Sequence, residues 1–183
     1  MKKELFNEIF PSYVVEFLNY YSVIKNRSGL TVEEYANDLA TFFRFLKVIR
    51  GLAPKETPFE EIVIKDLTLD MISGVSLNDA YMFLVYCKDN RNNNERTRAR
   101  KATTLRNFYK YLTVQKRLID DNPLQELDSP KIKKTLPKYL TLEESVALLN
   151  AVDGKYKERD YCIITLFLNC GMRLSELCSL NLS

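Results

Sequence analysis

The chain contains no histidine. That absence removes Ser-His-Asp and Cys-His catalysis from this stretch of protein, together with most zinc chemistry. Its four cysteines, Cys87, Cys162, Cys170 and Cys178, form no C-x-x-C pair. Three of them sit in apolar helical contexts and Cys178 follows Leu177, so the expectation is buried, reduced thiols, with neither disulfides nor a metal centre. No apolar run approaches the roughly 18 residues of a membrane span. The N-terminus, Met1 to Glu8, mixes acidic and basic residues and leads into no signal-peptide core. The sequence therefore predicts a cytoplasmic protein with no membrane partner.

What is present is enough for real cores. Apolar residues make up 46% of the 183 positions and charged residues 28%, which allows one large or two small domains. The net charge of +3 is unevenly spread. Residues 1–90 hold 10 Lys/Arg against 13 Asp/Glu, residues 91–138 hold 13 against 5, and residues 139–183 hold 4 against 6. One contiguous quarter of the chain carries the positive surplus. That pattern suits a polyanion bound at a defined place, or else a solvated basic helix followed by a flexible linker.

Apolar periodicity predicts a mainly helical protein. Val14, Phe17, Leu18, Tyr21 and Ile24 recur at helical spacing over Pro11 to Lys25. After the break at Ser28-Gly29-Leu30, Thr31 and Glu34 fit a capping box. The helix expected from there to about Arg50 has a stripe of Tyr35, Leu39, Phe42, Phe43 and Leu46. Pro54 and Pro58 mark a loop from Gly51 to Thr68, with a short ordered piece expected near Ile62 to Leu67. A short helix at Leu69 to Ile72 follows. Ser76 then reads as the cap of another helix, with Asp79 at its third position and Tyr81, Phe83, Leu84 and Tyr86 on its apolar side.

The most informative helix is predicted over Glu95 to Lys116. Ala102, Leu105, Phe108, Tyr109 and Leu112 form one face; Arg96, Arg100, Thr103, Asn107 and Lys110 form the other, with Thr104 and Arg106 at its edges. Arg and Lys reach phosphates or guanine, Asn pairs with adenine, and Thr serves either backbone or base. No acidic residue occurs from Arg96 through Ile119. An ordinary amphipathic helix would mix both signs on its exposed face, so the pattern favours a helix facing duplex DNA.

Asp120 to Pro123 ends that helix. Ser129 to Lys138, with two prolines and four lysines, reads as an extended linker that lies along a phosphate backbone or merely solubilises the chain. Thr141 and Glu144 repeat the capping-box pattern at the start of a helix through Ala151. After a turn at Gly154 to Glu158, the apolar run Tyr161 to Leu168 reads as a buried helix. Gly171 is placed to take the left-handed conformation that ends it, and Ser175 to cap a further helix. Arg173 then sits in a tight connection, either as a surface charge paired with Glu176 or as a planar fork holding two oxygens of one phosphate.

Several of these segments together resemble the tyrosine recombinases, the phage integrase family, and most closely its Xer-like members. The resemblance rests on Tyr35, Asp38-Leu39, Phe42 and Phe45-Leu46; on Thr97 to Lys101 and Leu105 to Leu112; on Asn122-Pro123, Pro130-Lys131 and Leu136 to Thr141; and on Arg159-Asp160 and Gly171 to Leu177. It implies a four-to-five-helix, SAM-like core-binding bundle over residues 1–117, a linker over 118–137, and the first helices of an incomplete, mostly helical catalytic domain over 138–183. It implies double-stranded DNA as partner, contacted by Arg96, Arg98, Arg100, Lys101, Thr103, Arg106, Asn107 and Lys110, and by Lys133 and Lys134 in the linker. Arg173 corresponds to the family's first catalytic arginine, which holds the scissile phosphate, and Glu176 to an acidic position supporting it.

Family enzymes cut one strand with a tyrosine, form a 3′-phosphotyrosyl link, and need neither metal nor nucleotide. They work as homo-tetramers on DNA or with a paralogous recombinase. Their roles include chromosome dimer resolution, within chromosome partition, and mobile-element integration or inversion. The family's remaining catalytic residues, including the nucleophilic tyrosine, fall beyond residue 183. The expectation is a front half that binds DNA without cleaving it alone. The competing expectation is a non-catalytic DNA-binding or regulatory protein that retains the core-binding lobe.

Overall fold

The computed structural model describes residues 3–54, 56–132 and 136–181. The chain divides into two compact units, Met1–Lys133 and Lys134–Ser183. Among the described residues the ordered elements are helical, as the periodicity predicts.

The first unit is built around one long helix. After α1 (Phe6–Ile9) and α2 (Ser12–Val23), α3 runs over Gly29–Ile49. Its middle is buried on most sides: Ala36, Leu39, Ala40, Phe42, Phe43 and Phe45 are all buried, and so are Asp38 and Thr41. A helix buried on most of its circumference has to be enclosed by others, and α2, α5 (Leu77–Asp89) and α6 (Glu95–Lys110) all pack against α3 or one another. Edge-on aromatic pairs join them: Phe42 to Phe83 at 5.1 Å, Phe43 to Phe108 at 5.7 Å and Phe17 to Phe108 at 5.3 Å. Each such pair adds about 0.5–1.5 kcal/mol beyond area burial.

The start of α3 differs from the sequence reading. Ser28, not Thr31, is the N-cap: its Oγ accepts the Thr31 N–H at 3.3 Å, and Gly29 is already helical. A serine followed by glycine reads as a break, yet glycine is tolerated in a first helical turn, whose backbone donors have no intrahelical partners. The cap at Ser76 does form, reciprocally with Asp79, as does the one at Thr141 with Glu144.

The Gly51–Thr68 connection holds a short 3-10 turn, Phe59–Glu61, and inserts Ile62, Ile64 and Leu67 into the core. It is clamped by two cations of α3: Arg44 Nε donates to the Ile62 carbonyl at 3.3 Å and Lys47 Nζ to the Val63 carbonyl at 2.8 Å. These two side chains satisfy backbone acceptors of a loop that makes no ladder of its own. Arg50, the C-cap of α3, reaches past the loop to the carbonyls of Met71 and Gly74 at 2.8 and 2.9 Å. The short helix α4 (Leu69–Ser73) follows, capped by Thr68.

The helix expected to reach Lys116 is regular only to Lys110. It widens into a π-turn over Tyr111–Gln115, where the Lys116 N–H reaches the Tyr111 carbonyl at 3.0 Å, and Arg117 then turns the chain with φ +51°. The widening keeps Tyr111 and Leu112 buried. Residues that read as the start of a linker pack onto the bundle instead. Ile119, Leu124 and Leu127 are all buried, and Arg106 Nη1 donates to the Leu127 carbonyl at 3.0 Å. Short apolar residues without periodicity carry no helix signal, which is why the sequence does not announce this strap.

The second unit contains α7 (Leu142–Asn150), α8 (Lys157–Cys170) and α9 (Leu174–Cys178). None of its described residues is buried. The run Tyr161 to Leu168, expected to be buried, is half-exposed, with Tyr161 itself exposed. Cys162, Cys170 and Cys178, expected as buried thiols, are exposed; only Cys87 is buried. Periodicity reports that a helix has an apolar face, not that a partner covers it. So short a unit encloses little surface of its own.

Candidate nucleic-acid interface

Helix α6 is fixed by burying one face. Ala102, Leu105 and Phe108 have no exposed surface, and Tyr109, equally buried, donates its hydroxyl to the Ile72 carbonyl at 2.9 Å. Asn94 caps the helix by accepting the Thr97 N–H at 2.9 Å. The opposite face therefore presents Arg96, Arg100, Thr103, Asn107 and Lys110 in one stripe. Fourteen steps of about 1.5 Å from Arg96 to Lys110 make it roughly 21 Å long. A cleft that includes Asp120 and Asp121 adjoins its Lys110 end.

The stripe is less uniform than the helical wheel suggests. Arg96 and Lys110 are exposed and make no ion pair among the described residues. Arg100 is half-buried and held at both Nη atoms: Nη1 lies 2.6 Å from Asp38 Oδ2 and donates to the Glu34 carbonyl at 3.3 Å, and Nη2 lies 2.8 Å from Glu34 Oε2. Thr103 donates to the Ala99 carbonyl at 3.0 Å and accepts from Arg106. Asn107 Nδ2 donates to the Tyr35 hydroxyl at 3.2 Å. Arg106 is occupied by the Leu127 carbonyl and by Ser129 Oγ. Arg98 pairs only loosely, at 3.5 Å, with Glu95. Lys133 and Lys134 lie outside the described residues.

Lys101 points inward. It is 6% exposed, its Nζ sits 2.9 Å from Asp38 Oδ1, and it lies over the Phe83 ring at 5.9 Å. Thr104, placed at the edge of the polar face by the wheel, is fully buried and donates to Asp38 Oδ2 at 2.8 Å. Asp38 itself has no exposed surface. A buried carboxylate is tolerated only when its lone pairs are filled, and here Arg100, Lys101 and Thr104 fill them. The signal was in the sequence: an aspartate three residues after Tyr35 and four before Phe42 lies on the apolar side of its helix and demands a cation across the interface.

The second unit carries a separate arrangement. Gly171 ends α8 with φ +61°, its N–H on the Phe167 carbonyl at 3.1 Å. Arg173, rather than Ser175, is then the N-cap residue of α9, because the Glu176 carboxylate folds back onto it. Oε2 accepts the Arg173 N–H at 2.8 Å and Oε1 accepts Nη1 at 2.9 Å. First the backbone donor, then the guanidinium, hold the Glu176 carboxyl below its ordinary range. The Arg173 side chain is 82% exposed, so it does not lie between buried segments. Its Nε and Nη2 have no partner among the described residues and remain available to an oxyanion.

No helix among the described residues is long and apolar enough to cross a membrane. The family model described as the phage integrase N-terminal SAM-like domain matches residues 14–57. The chain is 53% identical over 173 residues to a protein named tyrosine recombinase XerC from Caldanaerobacter subterraneus, covering 94% of this chain and 49% of that protein. It is 36% identical to the protein of that name from Thermodesulfovibrio yellowstonii, covering 93% and 49%. It is 30% identical to the one from Bacillus subtilis, covering 94% and 51%. The chain thus spans about half the length of the curated relatives it matches. No solved structure matches it.

Proposed function

We propose, from its belonging to the tyrosine recombinase family, that this chain is the DNA-seating front portion of a site-specific recombinase. The observation that carries the reading is the outward stripe of α6: Arg96 and Lys110 exposed at its ends, Arg100 between them, and no carboxylate within the helix after Glu95. A helix of that length and polarity fits the major groove of a duplex, which admits one α-helix. Arg96 and Lys110 contact phosphates or base edges directly. Thr103 and Asn107, pinned by Ala99 and Tyr35, are the candidates for base contacts. Arg106 borders the stripe and also ties down the strap through Leu127, whereas Arg98, its side chain 14% exposed, lies on the Ala102–Leu105 side of the helix and outside the stripe. Lys101 supports the helix from beneath.

In this reading residues 1–117 are the core-binding lobe, 118–137 connect, and 138–183 begin the catalytic lobe. Arg173 is the arginine that binds the scissile phosphate. With Nη1 held by Glu176, its two remaining donor groups form a fork of known origin, the geometry that stabilises charge developing on phosphoryl oxygens. The complete recombinase would attack phosphorus with a tyrosine hydroxyl, releasing a strand's 5′-hydroxyl, and a second 5′-hydroxyl would reverse the step. It would do so in the cytoplasm, as a homo-tetramer on its site or with a paralogue.

The test is duplex binding by this chain, followed by fluorescence anisotropy across salt. Contacts from about three cations give a slope of log K against log salt of roughly −2.7. Absence of binding at about 50 mM salt, or a slope near zero, contradicts the reading.

A further inference from the structure

The acidic partners of Arg100 fall into two layers with different exposure. The inner layer is Asp38, whose side chain is 1% exposed and shares Lys101 Nζ, itself 8% exposed, at 2.9 Å. Those two charges neutralise each other inside the bundle. The outer layer is Glu34, whose side chain is 51% exposed and meets Arg100 Nη2 at 2.8 Å. With Asp38 matched by Lys101, the unit charge left over on Arg100 is balanced by Glu34 alone.

The two contacts do different work. Asp38 Oδ2, at 2.6 Å from Nη1, fixes the guanidinium and removes its rotamer freedom before any ligand arrives. Glu34 faces water, where an ion pair is weak and exchangeable. Its carboxylate is an anion already seated against the one arginine in the middle of the α6 stripe, flanked along the helix by Arg96 and Thr103.

We propose that Glu34 is a surrogate phosphate: it occupies the anion seat of Arg100 in the free protein and is exchanged for a backbone phosphate of the duplex. The inference rests on the DNA-binding reading above and adds a residue that sets affinity. Glu34 keeps Arg100 aimed while lowering its attraction for polyanions that do not displace the carboxylate. A duplex seated along the whole stripe gains enough from Arg96 and Lys110 to displace it; a shorter or misplaced anion does not.

The experiment is a double-mutant cycle on duplex affinity, using the 183-residue chain and a generic duplex of about two helical turns. Glu34→Gln keeps size and a carbonyl acceptor but removes the charge. It is expected to bind about three- to fivefold more tightly than the parent, the upper range of an exposed ion pair. In an Arg100→Met background the same change should have no effect, because its action runs through Arg100. Arg100→Gln, uncharged but able to donate to Asp38, serves as the background if thermal unfolding shows the methionine variant to be unfolded. Unchanged or weaker binding by Glu34→Gln overturns the inference while leaving DNA binding intact. An equal gain in both backgrounds also overturns it, since Glu34 would then act as a remote charge. Failure of the parent chain to bind any duplex at low salt fells the functional reading itself, and is distinguished by that.

Discussion

Asp38→Asn is the sharpest perturbation of the bundle that carries the basic stripe. The replacement keeps the shape but removes the charge that three buried or half-buried donors converge on, at 2.6, 2.9 and 2.8 Å. Lys101, 6% exposed, is left as a cation in the core without its counter-charge. Breaking a buried pair from one side costs about 3–5 kcal/mol, and because asparagine still accepts one or two of these bonds the lower end applies, about 3 kcal/mol. With a urea m-value near 2 kcal/mol/M, that loss lowers the unfolding midpoint by about 1.5 M. The melting temperature should fall by roughly 10 °C. The assay is urea unfolding followed by circular dichroism. Lys101→Met removes the stranded cation, so the Asp38→Asn/Lys101→Met double variant should be less destabilised than the sum of the singles by about 1–3 kcal/mol. A single-variant loss under about 1 kcal/mol, or simple additivity, refutes the assignment of Asp38 as the charge that locks α6 to α3.

The remaining predictions address separate elements. Thiol labelling at about pH 8 should modify the exposed Cys162, Cys170 and Cys178 readily. Cys87, fully buried and with its thiol pushed up to about 11 chiefly by burial, should react only on unfolding; fast reaction of all four thiols in the folded chain contradicts that. Ser28→Ala should cost about 1 kcal/mol in urea unfolding and Thr31→Ala distinctly less, the reverse ranking returning the cap to Thr31. The Glu176 carboxyl is depressed, so its hold on Arg173 is present above the ordinary glutamate value of about 4.3 and is lost as pH falls through its lower folded value. A carboxyl NMR titration should find Glu176 below the ordinary glutamate value of about 4.3, and a normal value contradicts the cap.

Much of the fold was legible because it is written in periodicity and caps. The stripe of Tyr35, Leu39, Phe42, Phe43 and Leu46, the caps at Ser76 and Thr141, and the left-handed Gly171 all follow from local rules. Local rules end where tertiary partners decide. The wheel for α6 separates polar from apolar residues but does not say that Lys101 and Thr104 turn toward Asp38, more than sixty residues away. The same limit hides Arg44 and Lys47, whose grip on loop carbonyls no local pattern announces. It also hides the strap of Ile119, Leu124 and Leu127, whose burial depends on the bundle surface it covers. In α8 the error runs the other way: apolar residues promise burial that the 134–183 unit, taken alone, does not supply.

For the candidate site, the sequence located the basic helix and the Arg173–Glu176 pair but could not rank their members. Exposure and pairing do so. Arg96 and Lys110 make no ion pair among the described residues, Arg100 is held between a buried and an exposed carboxylate, and Lys101 belongs to the core.

Photocrosslinking tests the central claim most directly. A photoreactive phenylalanine analogue is placed at position 96 or 110 on the α6 stripe, or at position 82 on the outer face of α5, and the chain is irradiated with duplex DNA. Positions 96 and 110 should crosslink to the duplex and position 82 should not, although Met82 is itself 45% exposed. Crosslinks of equal yield from all three positions, or from position 82 alone, contradict the assignment of α6 as the DNA-facing helix.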